Sequence, residues 1–392
     1  MAGPLAGVRV VELGVWVAGP AAGGILADWG ADVVKIEPPD GDPARMFGRM
    51  LGIEDGSSPP FEMDNRGKRS IVLDVTTEDG RATARELLSG ADVFLTNVRP
   101  AALARVGLDF EVVAAANPAL VYGLITGYGE SGPDADRAAF DVAAFWARSG
   151  LAHLLTRPGE TPPFQRGGMG DHTAGMTLAA AVCAALVARE RTGKGQMVST
   201  SLYRQGAYTV SFDLNTFLMT GNPIAIGQRE SMGNPCMNNY AAGDGRRFWI
   251  VGLQAGRHWP PLCRAVGRSD WLTDARYDTP LNRAINSREL IAELDEIFAR
   301  KTLDEWAEVF AGQPDLFWSP INAMEDVVGD EQFHAAGGIV YVPDADGGSV
   351  PMVATPADFH GTPAQLRSSA PELGEHTDDV LAELAQRTNR ST

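Results

Sequence analysis

Three runs near the start decide the fold: Val8-Arg-Val-Val-Glu-Leu13, Gly19-Pro-Ala-Ala-Gly-Gly-Ile-Leu-Ala-Asp-Trp29, and Asp32-Val-Val-Lys-Ile-Glu37. The first is short and β-branched, as strands are. The second carries a proline in its first turn and is stopped by Gly30, the start and stop signals of a helix. The third is another β-branched run, closed by Pro38-Pro39. Strands alternating with helices indicate a parallel α/β architecture.

The alternation continues outward. Residues 70–74, 92–96, 120–126 and 196–202 read as strands. Residues 77–88, capped by Thr77 and closed by Ser89-Gly90, and 110–116 read as helices. Residues 172–191 form a long helix, whose Ala-rich interior (Leu178 to Val187) predicts burial nearly all round. Composition changes near Met219, and residues 221–239 are rich in Gly, Pro and Asn, as a linker or loop is. A smaller α/β domain follows, with a strand at 247–251 and helices at 258–266, 287–299 and 303–311. Two strands at 337–342 and 350–354 are placed to pair, and Thr377 caps a last helix.

Fifty acidic against 33 basic residues leave a net charge of −17, which opposes non-specific binding to nucleic acid or to an anionic membrane. A local basic patch is still enough for an anionic ligand. Cys183, Cys236 and Cys263 form no CxxC pair, and the six histidines show no metal-binding spacing. No metal site is expected, and the odd cysteine count fits a reducing, cytoplasmic setting. Residues 1–7 lack the pattern of a signal peptide, and the apolar stretch Met176 to Ala188 is too short to span a bilayer.

The segment Gly167-Gly-Met-Gly-Asp171-His-Thr-Ala-Gly175 is the most informative chemically. Glycines let the backbone approach a ligand, and the helix dipole favours an ionised Asp171 beside free amides. By spacing alone Asp171 reads first as an N-cap and second as a carboxylate nucleophile. His172 beside it is a base, a relay or a packed neighbour. Gly14, Gly19, Gly23 and Gly24 miss the GxGxxG spacing of a dinucleotide site, as does Gly168-Met-Gly170. Arg66, Lys68, Arg69, Arg99 and Arg105 are candidates for phosphate contacts, with ordinary salt bridging as the plainer role of each. Phe145-Trp146 and Trp249 read as core or pocket wall.

In order along the chain stand Pro4 to Leu13, Ala18-Gly-Pro20, Gly30 to Glu37, Asn65 to Asp74, Asp92 to Pro100, Gly127 to Pro133, Gly170-Asp171, Thr192 to Gln196 and Leu373 to Asp378. Together they resemble the family III CoA-transferases, the group of formyl-CoA transferase, carnitine CoA-transferase and the α-methylacyl-CoA racemases. The resemblance implies a large Rossmann-like domain built from both chain ends (1–220 and 331–392), a small α/β domain (221–330), and two subunits interlocked as linked rings in a homodimer. It makes Asp171 the nucleophile, reversing the cap-first order. It places coenzyme A, a substrate and not a permanently bound cofactor, against Val17, Ala18, Leu73, Asp74, Val75, Thr76, Asn97, Val98, Arg99, Arg105, Arg137, Ala138, Ala139, Phe140 and Asp141. Val17 and Pro38 depart from the polar or basic contacts of formyl-CoA transferase, so Arg45 or Arg99 is expected at the phosphates. Ser231-Met-Gly-Asn-Pro235 replaces that enzyme's glycine run and implies a different lid.

The resemblance further implies transfer of CoA from an acyl-CoA to a free carboxylic acid, through an aspartyl anhydride and an aspartyl-CoA thioester. One alternative is a racemase-type isomerase. Its histidine–aspartate pair falls at Phe140-Asp141, where phenylalanine accepts no proton and His153 or His172 does not match by position. Another is a non-catalytic acyl-CoA-binding protein of the same fold. The stretch Ala139 to Gly150 is similar to members that act on 2-hydroxy or aryl acids, so a medium-sized or aromatic acid is expected, in a pocket shaped with Trp249 and the loop 228–240.

Overall fold

The computed structural model describes residues 3–391, apart from 55, 226, 345, 346 and 365. Six strands form one sheet: β1 (Arg9–Leu13), β2 (Asp32–Glu37), β3 (Arg69–Val72), β4 (Val93–Thr96), β5 (Val121–Thr126) and β6 (Met197–Ser201), in the order β3-β2-β1-β4-β5-β6. Every neighbouring pair is parallel. Successive side chains face opposite layers, as the pleat requires. Val10 enters the core beneath the helices Ala18–Asp28 and Met169–Thr192. Val11 enters the core beneath Glu78–Ser89, Pro100–Val106, Phe110–Ala116 and the last helix.

The Ala18–Asp28 helix is buried at every residue, which its Gly/Ala composition permits. It packs closely on the long helix at Gly175, where a Cβ would come within 2.9 Å of the Ala21 methyl and 3.0 Å of the Ala22 amide nitrogen. The long helix is not buried all round. Ala174, Gly175, Leu178, Ala179, Val182, Ala185 and Leu186 form one buried stripe, while Val187 is exposed. It also runs 24 residues, longer than the apolar stretch read from sequence, and by length and composition alone could cross a membrane. That buried stripe belongs to the main core.

The chain divides into two compact units, one of residues 1–156, 160–223 and 335–392 and one of 157–159 and 224–334. The first also carries the antiparallel pair β10 (Ile339–Pro343) and β11 (Ser349–Val353). The second holds β7 (Met237–Ala241), β8 (Arg247–Val251) and β9 (Trp318–Pro320), all antiparallel. Its core is aromatic: Phe248 and Phe298 meet edge to face at 5.0 Å, and Trp306 stacks on Phe310 at 5.6 Å.

A buried charge network sits toward the ends of β1 and β2, beside the start of β3. Glu12 receives Lys35 on one oxygen at 3.0 Å and Lys68 on the other at 2.7 Å. Lys35 also pairs with Asp42 at 2.9 Å, and Lys68 donates to Asn65 and to the Pro20 carbonyl. Burial alone pushes Glu12 up, but the two ammonium groups override it and hold it below its ordinary value. Gly23 accommodates the network, since a Cβ there would lie 1.9 Å from a Glu12 oxygen.

Candidate active site

Winding reverses between β1 and β4, and an open α/β sheet leaves a crevice outside the strand ends at that point. Asn97, just after β4, spans it to the β1 loop. Its Oδ1 accepts from the Val15 amide at 3.0 Å, and its Nδ2 donates to the Val15 carbonyl at 2.7 Å. Val17 and Ala18 open the first helix, whose N-terminus has no side-chain cap. Val98 follows Asn97, and Arg99 starts the Pro100–Val106 helix with its guanidinium 3.4 Å from the Asp136 carbonyl. These five residues come together at the crevice.

The other expected CoA contacts spread further. Leu73 to Thr76 follow β3, two strands from β1, where Asp74 accepts from both the amide and the hydroxyl of Thr76. Arg105 lies about 9 Å along its helix from Arg99, at the usual rise per residue. Arg137, Ala138, Ala139, Phe140 and Asp141 belong to the segment after β5. Arg137 is exposed and pairs with Asp134 at 3.6 Å, Phe140 is exposed, and Asp141 is buried.

Three of the five basic candidates are already engaged. Arg66 is buried against Asp28 at 2.7 Å, Lys68 belongs to the Glu12 network, and Arg69 bridges Asp32 and Glu383. Arg45 grips Glu37 through two nitrogens and donates to the Pro371 carbonyl. For Arg66, Lys68 and Arg69 this is the salt bridging read as the plainer role, and Arg45, expected at the phosphates, is likewise held by an internal ion pair.

Asp171 lies at the other feature of this unit, the start of the long helix. That helix begins at Met169, so Asp171 is its third residue and not its cap. Gly168 holds the N-cap position at φ 76°, a left-handed conformation suited to glycine. The Gly170 amide donates to Asp141 Oδ2 at 3.1 Å. A Cβ at Gly170 would lie 2.3 Å from Asp141 Oδ1 and from Phe145 Cγ, so a side chain there would expel the carboxylate. Asp141 Oδ1 is buried with no hydrogen-bond partner among the described residues. His172 places Nε2 3.1 Å from Asp64 Oδ1.

Burial, then the Asp141 carboxylate, push Asp171 up to about 7, with His172 pulling the other way. The helix dipole favours the anion, but dehydration and a second carboxylate outweigh it. From sequence only the dipole is visible, which favours the ionised form, and not the burial and the Asp141 carboxylate that oppose it. The hydrogen bond to Asp64 raises His172, while burial raises Asp64 and the same bond opposes that rise.

Next to these groups opens a cleft of about 550 Å³, lined by Val17, Phe47, Leu51, Pro59, Pro60 and Met63, with Asp64, His172 and Gly167-Gly168 at its polar side. Phe47, Asp64 and Trp16 escaped the sequence reading. Asp64 carried a usable signal, since it directly precedes the Asn65-Arg-Gly-Lys run that supports the resemblance. Phe145 and Trp146 are core residues. In the second unit Trp249 is 39% exposed on β8, and Asn234 pins the Ser231–Pro235 turn to the Gly252 carbonyl at 2.9 Å. His153 is exposed on a short helix.

Comparison with known proteins gives these positions a family. A model of CoA-transferase family III matches residues 5–377. The chain is 34% identical over 385 residues to (R)-2-hydroxy-4-methylpentanoate CoA-transferase of Clostridioides difficile, covering 97% of this chain and 95% of that one. It is 33% identical over 384 residues to cinnamoyl-CoA:phenyllactate CoA-transferase of Clostridium sporogenes, covering 96% and 92%. A solved CAIB/BAIF family protein from Brucella suis matches with TM-score 0.85 and 32% identity over 98% of this chain and 100% of that chain. With matches that run nearly end to end, this chain belongs to CoA-transferase family III and is an enzyme that transfers CoA.

Proposed function

We propose that the chain moves CoA from an acyl-CoA to a free carboxylic acid of medium size, branched or aromatic, with Asp171 as the attacking group. The observation that carries this is one carboxylate in the first turn of the long helix, partly dehydrated, whose neighbours Gly168 and His172 line an apolar cleft. Loss of hydration makes the ionised form a stronger nucleophile.

The ionised Asp171 attacks the thioester carbonyl. The C–S bond breaks, leaving a mixed anhydride and CoA thiolate. The thiolate attacks the aspartyl carbonyl, giving an aspartyl-CoA thioester and releasing the donor acid. The acceptor carboxylate attacks that thioester and expels the thiolate again. Thiolate attack on the acceptor's carbonyl then forms the new acyl-CoA and restores Asp171. One thioester replaces another, so the chain's task is to align the reactants and keep water from the anhydride.

The substrate class rests on Phe47, Leu51, Pro59, Pro60 and Met63 along the cleft. It also rests on relatives named for 2-hydroxy-4-methylpentanoate and phenyllactate. The CoA moiety is assigned to the crevice of Val17, Ala18, Asn97, Val98 and Arg99, the functional assembly to a homodimer, and the compartment to the cytoplasm, where free Cys183, Cys236 and Cys263 stay reduced.

The test combines an acyl-CoA and acid panel with hydroxylamine trapping. Acyl-CoA plus hydroxylamine should inactivate the enzyme and leave a hydroxamate on the peptide containing Asp171. Asp171→Ala should lose at least about a thousandfold in turnover, as expected when a covalent nucleophile is removed. Wild-type turnover with formate and oxalate alone would overturn the substrate class, and an active Asp171→Ala would overturn the mechanism.

A further inference from the structure

The residue between β1 and the first helix holds a conformation that core packing does not require. Trp16 has φ 65°, the only positive value among the described non-glycine residues. A bulky side chain there is a true backbone outlier, and such strain persists only where surroundings enforce it. Here they do. The Trp16 amide donates to Asp42 Oδ1 at 2.9 Å, and Asp42 Oδ2 is held by Lys35 at 2.9 Å. Lys35 also donates to the Gly14 carbonyl, and Asn97 grips Val15 through both of its polar atoms. A buried network thus fixes three consecutive residues around a side chain that is itself only half-buried.

The strain aims the indole. It meets Phe47 at 5.5 Å and, edge on, Phe140 at 5.8 Å. Phe47 lines the apolar cleft. Phe140 precedes Asp141, whose carboxylate binds the Gly170 amide one residue before Asp171. Trp16 therefore links the wall of the cleft to the corner that carries the attacking group.

We propose that Trp16 is a positioning residue for acyl selectivity, holding Phe47 against the cleft and Phe140 beside Asp141. This rests on the assignment of Asp171 as nucleophile and of the cleft as the acyl site. A space-filling tryptophan needs no left-handed backbone. The bonds that enforce the strain use only backbone atoms of residues 14–16, so they survive substitution at position 16, and glycine adopts this conformation without strain. Trp16→Gly therefore separates folding from selectivity.

The experiment compares full-length wild type, Trp16→Gly, Trp16→Phe and Asp171→Ala. It measures melting temperature, kcat and KM with 4-methylpentanoate, 3-phenylpropanoate and acetate as acceptors. Trp16→Gly should melt at or above the wild-type temperature. Its kcat/KM should fall about tenfold or more for the two larger acids and about twofold or less for acetate, with Trp16→Phe in between. An unchanged ratio between large acids and acetate in Trp16→Gly would overturn the proposal. So would a drop in melting temperature with equal loss on all three acids. Turnover surviving in Asp171→Ala would instead sink the mechanism, while leaving the acceptor ratios of the Trp16 variants readable.

Discussion

At the scale of single residues, the proposed chemistry turns on how Asp171 holds its proton. Its neighbours on every side are titratable: Asp141 after β5, Asp64 on the Pro59–Asn65 helix, and His172 next in sequence. With the carboxyl pushed up to about 7, only about half the free enzyme carries an ionised Asp171, the proposed nucleophile, at neutrality. The kcat/KM for acyl-CoA should rise about tenfold per pH unit below 7 and level off above about pH 8. A profile flat from pH 5.5 to 8, read in stopped-time assays, would contradict this. Stability moves oppositely. A raised folded-state value means the native protein binds this proton more tightly than the unfolded chain does. Both states are protonated below the ordinary aspartate range, so no difference exists there. As pH climbs toward 7 the unfolded carboxyl ionises first, and stability is lost until the native group ionises too. Asp171→Asn escapes that loss. Its advantage over wild type in denaturant melts should be near zero at pH 4 and on the order of 2–4 kcal/mol above pH 7.5.

At the scale of elements, the network of Glu12, Lys35 and Lys68 joins β1 and β2 to the residue that leads into β3. Lys68 is fully buried, and burial holds its ammonium below the ordinary value despite Glu12. Lys68→Met would remove the donor to one Glu12 oxygen, to Asn65 Oδ1 and to the Pro20 carbonyl. Breaking such a buried pair costs about 3–5 kcal/mol, measurable as a lower urea midpoint with unchanged slope; a loss under about 1 kcal/mol would show that the pair contributes little. The same elements show how much was legible beforehand. The strands of the sheet are β-branched runs ended by glycine, proline or a cap, and those signals are local. The Thr77 cap is real, its hydroxyl accepting from the Gly80 amide. Thr377 is different: its hydroxyl accepts from the Val72 amide and donates to the Gly374 carbonyl, tying the last helix to β3. The first turn of the long helix is tied through the Gly170 amide to Asp141, 29 residues earlier, and no local window of sequence shows that bond. β9 has three residues and exists through its pairing with β8. The helix Pro280–Ile285 was missed although its signals are local, Thr279 as cap and a proline in its first turn. In the site, the Gly167 to Asp171 motif drew attention to the carboxylate proposed as the attacking group. The engagement of Arg45, Arg66 and Arg69 was hidden because their acidic partners are distant in sequence or belong to other elements.

At the scale of the molecule, a single chain leaves apolar surface that water should not face. The Ser211–Thr220 helix buries none of its residues, and Phe212, Leu218 and Met219 are 79%, 71% and 87% exposed. Tyr208, just before it, is 76% exposed. Such a run marks an interaction surface. At −17 per chain, long-range electrostatics oppose self-association, so apolar burial must drive any pairing. A second copy is the occupant that the family resemblance implies, with the subunits threaded as linked rings. Linked rings make a distinctive prediction, because threaded chains cannot part while folded. Sedimentation and light scattering should give twice the mass of one chain, and the value should hold on dilution to nanomolar concentration. Dissociation should appear only together with unfolding, so the denaturation midpoint should depend on protein concentration. Phe212→Glu with Leu218→Glu should block assembly during folding, giving aggregated or inactive chain; added after assembly, dilution alone should have no such effect on wild type. A monodisperse monomer at micromolar concentration would refute the dimer. A dimer that releases folded, active monomers on dilution would keep the pairing but rule out threading.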